Sequence, residues 1–147
     1  MAKRILVAVD HEPPAELLDL INDAARGGGA TIRLVHVAPM PDNVIGDDGQ
    51  LIAYADQEVA RLEDEGLDRL RVVALQLGGV PVEAAVRFGD PAVEIVREAE
   101  AFEADLIAMP TRGRTGVARL LFGSVAQQVA RRAPMAVALV RSQTPRA

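Results

Sequence analysis

An open sheet of five parallel strands with helices on both faces is what this sequence predicts, and three observations carry that expectation. Five short apolar runs alternate with four helical stretches along 147 residues, the pattern of β-α-β crossovers. The first run, residues 5–9, is apolar throughout instead of alternating with polar residues, as a strand buried on both faces is. Half of the chain is apolar but only 3% is aromatic, so Val, Leu, Ile and Ala must fill the core. That composition suits a helix-covered sheet and offers little surface for stacking bases.

The elements follow in order. Residues 5–9 (ILVAV) form the first strand, ended by Asp10. Pro13 and Pro14 open a helix in which Leu17, Leu18, Ile21, Ala24 and Ala25 recur at helical spacing, and Gly27, Gly28 and Gly29 stop it. The second strand is 31–37. Residues 39–50 carry Pro, Gly, Asn and Asp without periodicity, a surface loop. A long helix over 51–77 follows, with a break expected near Gly66. Residues 82–88 are the third strand. Gly89-Asp90-Pro91 signals a helix start, Asp90 as N-cap and Pro91 at the first helical position. The helix runs over 91–102, the fourth strand over 106–109, and a Gly/Arg-rich segment (110–116) leads into helical pattern through Arg132. Met135 to Val140 is the last strand. A single domain over 1–141 and a loose polar tail over 142–147 complete the expectation.

Composition removes several functions. The 16 Lys and Arg against 21 Asp and Glu give a net charge of −5, which argues against nucleic acid or anionic membranes as partners. There is no cysteine, hence no disulfide and no thiolate metal site, as in a reducing compartment. No apolar run is long enough to span a bilayer, and the run after Lys3 and Arg4 is too short for a signal peptide; the cytoplasm is expected. Lys3 is the only lysine, so no Gly-Lys-[Ser/Thr] phosphate loop exists. His11 and His36 are the only histidines, too few for zinc hydrolysis or a Ser-His-Asp triad. His11 reads as a loop residue and His36 as a satisfied core residue.

In an open α/β sheet ligands bind beyond the carboxyl ends of the strands, where strand order reverses. Asp10, Val37 and Met109 end three of the strands, and the richest segment follows the fourth. Gly113 and Gly116 permit close approach to backbone. If a helix starts at Ser124, its free amides favour a phosphate, with Arg112 and Arg114 adding positive charge. Gly123-Ser124 reads equally as a kink inside ordinary helix packing, and Asp10 equally as a cap for the first helix.

Residues 5–10 (ILVAVD), 34–37 (LVHV), Gly89-Asp90-Pro91, 104–109 (ADLIAM), 113–116 (GRTG), 120–125 (LLFGSV) and Arg132-Ala133-Pro134, in this order and spacing, resemble the universal stress protein family over nearly the whole chain. The resemblance implies a Rossmann-like sheet of the adenine nucleotide alpha hydrolase-like kind. It also implies a regulatory, stress-response protein that binds ATP or AMP without fast catalysis, slow ATP hydrolysis at most. Nucleotide-binding members carry Gly, two residues, Gly, nine residues, then Gly-Ser or Gly-Thr. Gly113 and Gly123-Ser124 match, and Pro110 replaces the first glycine.

By that likeness Gly113, Arg114, Gly123, Ser124 and Val125 surround the phosphates and Asp10 faces ribose or a magnesium ion. Val37 backbone reads the base, Met109 walls it, and Ala8 forms the floor. Proline donates no N–H; if that amide met a charged oxygen, its loss costs about 1–3 kcal/mol, so binding is expected to be weakened and not abolished. Glu12, where the family commonly has serine, acts in the same direction. The likeness implies a homodimer through the strand from Met135 to Val140, an apolar edge that invites a partner. The alternative is a member that binds no nucleotide and works through dimerisation and partner contacts.

Overall fold

A computed structural model describes residues 3–10, 12–27, 29–41, 50–78, 80–111 and 116–141, with backbone alone at 50–55 and 116–123. The elements are β1 (Arg4–Ala8), α1 (Ala15–Arg26), β2 (Thr31–Ala38), α2 (Gln50–Leu75), β3 (Val82–Phe88), α3 (Pro91–Phe102), β4 (Leu106–Pro110), α4 (Gly116–Arg132) and β5 (Ala136–Val140). All strand pairs are parallel and the order is β3-β2-β1-β4-β5.

The apolar run of β1 is continuous because this strand feeds two cores. On β1, Leu6 and Ala8 join Val35, Ile95, Phe102, Ile107, Met109 and Val129 on one face. Ile5, Val7 and Val9 join Leu17, Ile21, Leu34, Leu70 and Val73 on the other. The first core lies under α3 and α4, the second under α1 and α2. Every apolar residue of β1 is buried, whichever way it points.

Ends follow local chemistry. Pro14 is the N-cap of α1 and gives no side-chain hydrogen bond, while Asp90 caps α3 by accepting from Val93 N at 3.1 Å. Gly27 closes α1 in right-handed conformation; the left-handed residue before β2 is Gly29, at φ 85°. One expectation is corrected and one open choice is settled. First, α2 is unbroken across Gly66. A Cβ there would lie 2.9 Å from Val86 Cγ2 and 3.3 Å from His36 Cδ2, so the glycine lets the helix lie close on β2 and β3 and does not interrupt it. Second, α4 begins at Gly116, so Ser124 stands inside a helix and not at its start. Good helix formers between 117 and 122 carry the helix through Gly123, which costs only about 1 kcal/mol. Pro110 fits β4 as its last residue, past the β1 pairing that ends at Ala108. The segment 112–115, His11, most of the expected loop (42–49) and the tail 142–147 lie outside the described residues.

Candidate functional site

The chain leaves β1 toward β2 and β3, then returns across the sheet to place β4 on the other side of β1. The carboxyl ends of β1 and β4 therefore flank the point where strand order reverses, the usual ligand position in such sheets. A cavity of about 220 Å³ opens beside it, lined by Ala8, Val9, Asp10, Val35, Val37, Pro39, Gly89, Pro91, Ile95 and Val125. Its floor comes from β1 and β2, its side from α3 and its far wall from α4. Among the described residues the lining is largely apolar, with Asp10 as its one ionisable side chain, a surface suited to a flat ring. Small-molecule sites commonly run to about 300–1,000 Å³, so this recess encloses part of a nucleotide and leaves the rest outside it.

Of the residues singled out from the sequence, the fold brings Ala8, Asp10, Val37 and Val125 into this one wall. Met109 is fully buried in the core under α3 and α4 and does not line the cavity. Ser124 is exposed on α4, where its hydroxyl accepts from Gln128 Nε2 at 3.3 Å. Because α4 starts eight residues earlier, the amides that a helix leaves unpaired are those of its first turn, from Gly116. Gly113 and Arg114 lie outside the described residues, and Gly123 contributes backbone alone.

Sequence reasoning missed several residues here. Gly89 lines the cavity at φ 132° and donates its N–H to Ala38 O at 3.0 Å, fastening the turn after β3 to the end of β2. A side chain there would be strained by that φ, although its Cβ would meet Glu94 only at ordinary contact distance, 3.5 Å. The signal was present in Gly-Asp-Pro, but it read only as a helix start. The second omission lies on the α2 side, where another cavity of about 250 Å³ shares Asp10, Val37 and Pro39 with the first and adds His36, Leu62, Glu65, Gly66 and Arg69. His36 is 8% exposed, as a core residue should be, and its Nδ1 donates to Val9 O at 3.1 Å. Arg69 Nη1 reaches Asp10 O at 3.5 Å and His36 Nε2 at 3.4 Å. Among the described residues no group of three or more His, Cys, Asp or Glu could hold a metal ion; a cation at Asp10 would need oxygens from its ligand.

Comparison with known proteins agrees with this architecture. The family model described as "Universal stress protein family" matches residues 1–141. A universal stress protein of Thermus aquaticus is 36% identical over 144 residues, covering 96% of this chain and all of the relative. Among solved structures, that of hypothetical protein MJ0577 covers 99% of both chains with a TM-score of 0.80 at 24% identity. The universal stress protein from Archaeoglobus fulgidus in complex with dAMP covers 93% of this chain and 96% of its own, with a TM-score of 0.61 at 20% identity. This chain belongs to the universal stress protein family.

Proposed function

We propose that the crevice at the ends of β1 and β4 binds an adenine nucleotide, ATP or AMP, and that the protein acts in stress regulation by binding and not by fast catalysis. The carrying observation is the apolar recess at the strand-order reversal, where Ala8, Asp10, Val37 and Val125 converge. The adenine sits between Val37 and Val125 above Ala8, with Asp10 toward the ribose or a magnesium ion. The dAMP held by the Archaeoglobus relative supports the same ligand class. The phosphates extend past the recess, and Gly113, Arg114, Gly123 and Ser124 are the residues we propose to hold them. Among the described residues Asp10 is the one ionisable side chain that lines the recess, whereas rapid hydrolysis calls for a positioned base and a charge stabiliser together.

We also place the protein in the cytoplasm as a homodimer. No helix among the described residues is long and apolar enough to cross a membrane. Among the described residues β5 ends the sheet, pairing with β4 alone, and Leu139 on it is 41% exposed, an apolar edge open to a second copy. That edge also supports the second reading, in which dimerisation and partner contacts are the whole function.

Calorimetric titration with AMP and with ATP-Mg decides between them. Wild type is expected to bind in the micromolar to hundreds of micromolar range. Val125→Glu, which sets a carboxylate in the wall, is expected to lose at least about tenfold at unchanged circular dichroism. Wild type without heat or melting shift at millimolar nucleotide overturns the first reading and leaves the second.

A further inference from the structure

Arg69 is engaged differently from its neighbours on α2. Arg61 pairs with Glu58 and Glu65, and Arg71 with Asp68, all carboxylates of the same helix. None of the ion pairs among the described residues includes Arg69. Its guanidinium instead reaches over the carboxyl ends of the strands, where Nη1 lies 3.5 Å from Asp10 O and 3.4 Å from His36 Nε2. Both contacts run through that one nitrogen, and both are longer than a well-made hydrogen bond of about 2.7–3.2 Å. A guanidinium offers a planar fork of donors that suits a phosphate two bonds at a time.

Arg69 lines the cavity of about 250 Å³ on the α2 side, and this cavity meets the strand-end recess at Asp10, Val37 and Pro39. A ligand in the recess therefore has a second compartment beside it, across the Asp10 turn. In the nucleotide reading Asp10 faces the ribose and the 5′-phosphates leave on the α4 side. The 5′ carbon and the 2′ and 3′ hydroxyls project from opposite faces of a ribose ring, so the hydroxyl edge turns toward α2. We propose that the second compartment is a subsite for a phosphate on the ribose 2′ or 3′ oxygen. Arg69 is the residue that recognises it, and the preferred ligand is an adenine nucleotide phosphorylated on both sides of the ribose. Sheets of this general layout that bind dinucleotides likewise use an arginine beside the ribose to accept a 2′-phosphate. The inference rests on the nucleotide reading and names the specificity of the same site.

The rest of the lining sets the size of the effect. Two carboxylates, Asp10 and Glu65, share the cavity with Arg69. Glu65 accepts from Arg61 Nη1 at 2.6 Å, and Asp10 has a partner of its own. Their repulsion of a phosphate opposes the attraction of Arg69 and keeps the gain modest. Room is not limiting, because at roughly 30 Å³ for each water a cavity of about 250 Å³ holds a phosphate together with water between it and the acids.

The test is calorimetric titration of the full chain, without magnesium, with AMP, ADP, adenosine 2′,5′-bisphosphate and adenosine 3′,5′-bisphosphate. ADP carries its extra phosphate on the 5′ side and so controls for charge alone. At least one bisphosphate is expected to bind about three- to tenfold tighter than AMP. Arg69→Gln is expected to remove that preference while AMP and ADP stay within about twofold of wild type at about 0.15 M salt, where distant charges are screened. Arg69→Lys, which keeps the charge and loses the fork, is expected to retain part of it. Phosphorus-31 spectra report the contact itself: the resonance of the 2′- or 3′-phosphate should shift more on binding wild type than on binding Arg69→Gln. Equal affinity for AMP and both bisphosphates overturns the proposal. So does a preference that survives in Arg69→Gln, or a loss in that variant that ADP shares equally. Should none of the four nucleotides bind, the nucleotide reading itself falls and the subsite with it, an outcome distinct from AMP binding without any preference.

Discussion

The two faces of the sheet bury similar aliphatic cores and are fastened at the β2–β3 side by different means. Under α2 the contact is steric: Gly66 brings the helix onto Val86 and His36, and the core of Leu34, Leu70 and Val73 closes behind it. Under α3 it is ionic. Glu98, 6% exposed, takes Arg87 Nε on one carboxylate oxygen at 2.7 Å and Arg33 Nη1 on the other at 2.6 Å. Glu94 accepts from Arg87 at 2.8 Å and from Arg97 at 2.9 Å. The Arg33 guanidinium also lies 4.3 Å from the centroid of the Phe102 ring. α3 therefore has a charge pattern that fixes where it docks, whereas α2 depends mainly on shape, with Arg69 adding a polar reach to Asp10 O and His36 at the strand ends. The face with the charge lattice is also the face that holds the recess, and Gly89, beside Glu94, is where the two meet.

The largest expected effect comes from removing the hub of that lattice. Glu98→Ala leaves Arg33 and Arg87 without the carboxylate between them, and breaking a buried pair this way costs about 3–5 kcal/mol. Each arginine keeps some exposure and a second glutamate, which brings the expected loss to about 2–3 kcal/mol in urea unfolding at pH 7. The pH dependence gives the sign independently. Burial alone pushes the Glu98 carboxyl up, but the hydrogen bonds and charges of Arg87 and Arg33 outweigh it and leave it below the usual carboxylate range. A group held low in the folded state contributes stability above its unfolded value and loses it as pH falls through the folded one. The advantage of wild type over Glu98→Gln is thus expected in full above about pH 5 and to shrink on acidification below that. A gap that persists undiminished at pH 2.5, with both proteins still folded, would assign it to packing.

The α2 face answers to volume. Gly66→Ala gains about 1 kcal/mol of helix propensity and meets an overpacking cost of about 1–3 kcal/mol, because the new methyl would fall 2.9 Å from Val86 Cγ2. The net expectation is a loss of about 1 kcal/mol. Adding Val86→Ala removes the obstructing branch, so the double variant should be more stable than the sum of the single changes predicts. Additivity in that cycle would mean the helix simply shifts outward.

These contrasts bear on what could be seen in one dimension. Strand placement was legible because residues 5–9 and 106–109 are apolar on both faces, a demand only a covered sheet makes. Asp90 and Pro91 were legible because a cap acts within three residues. Gly66 looked like a break, since a glycine in a helix shows its local cost and hides the neighbour that requires it. The lattice was invisible: Arg33 and Glu98 are 65 positions apart, and neither stands in a pattern that marks it as buried. The recess was half legible. Ala8, Asp10, Val37 and Val125 come to line one recess, but Ser124 inside α4 follows from how far the helix extends toward Gly116, which residue spacing alone leaves open. Arg69 was lost among the charges of α2, where an exposed face and a side chain reaching over the sheet look the same.

The smallest effects concern the helix starts, and here the faces can be exchanged. Asp90 accepts from Val93 N, so Asp90→Ala is expected to cost about 1 kcal/mol, with Asp90→Asn nearly neutral. Pro14 at the head of α1 offers no such acceptor, although its extended backbone, φ −69° and ψ 151°, is that of a capping residue. Pro14→Asp supplies the missing acceptor, worth about 1 kcal/mol, and releases the unfolded chain from a proline, worth about 0.4–1 kcal/mol in the opposite direction. The two nearly cancel, and urea midpoints should place Pro14→Asp within about 0.5 kcal/mol of wild type. A loss as large as that of Asp90→Ala would show that the proline itself sets the entry of α1, making rigidity on this face the counterpart of charge on the other.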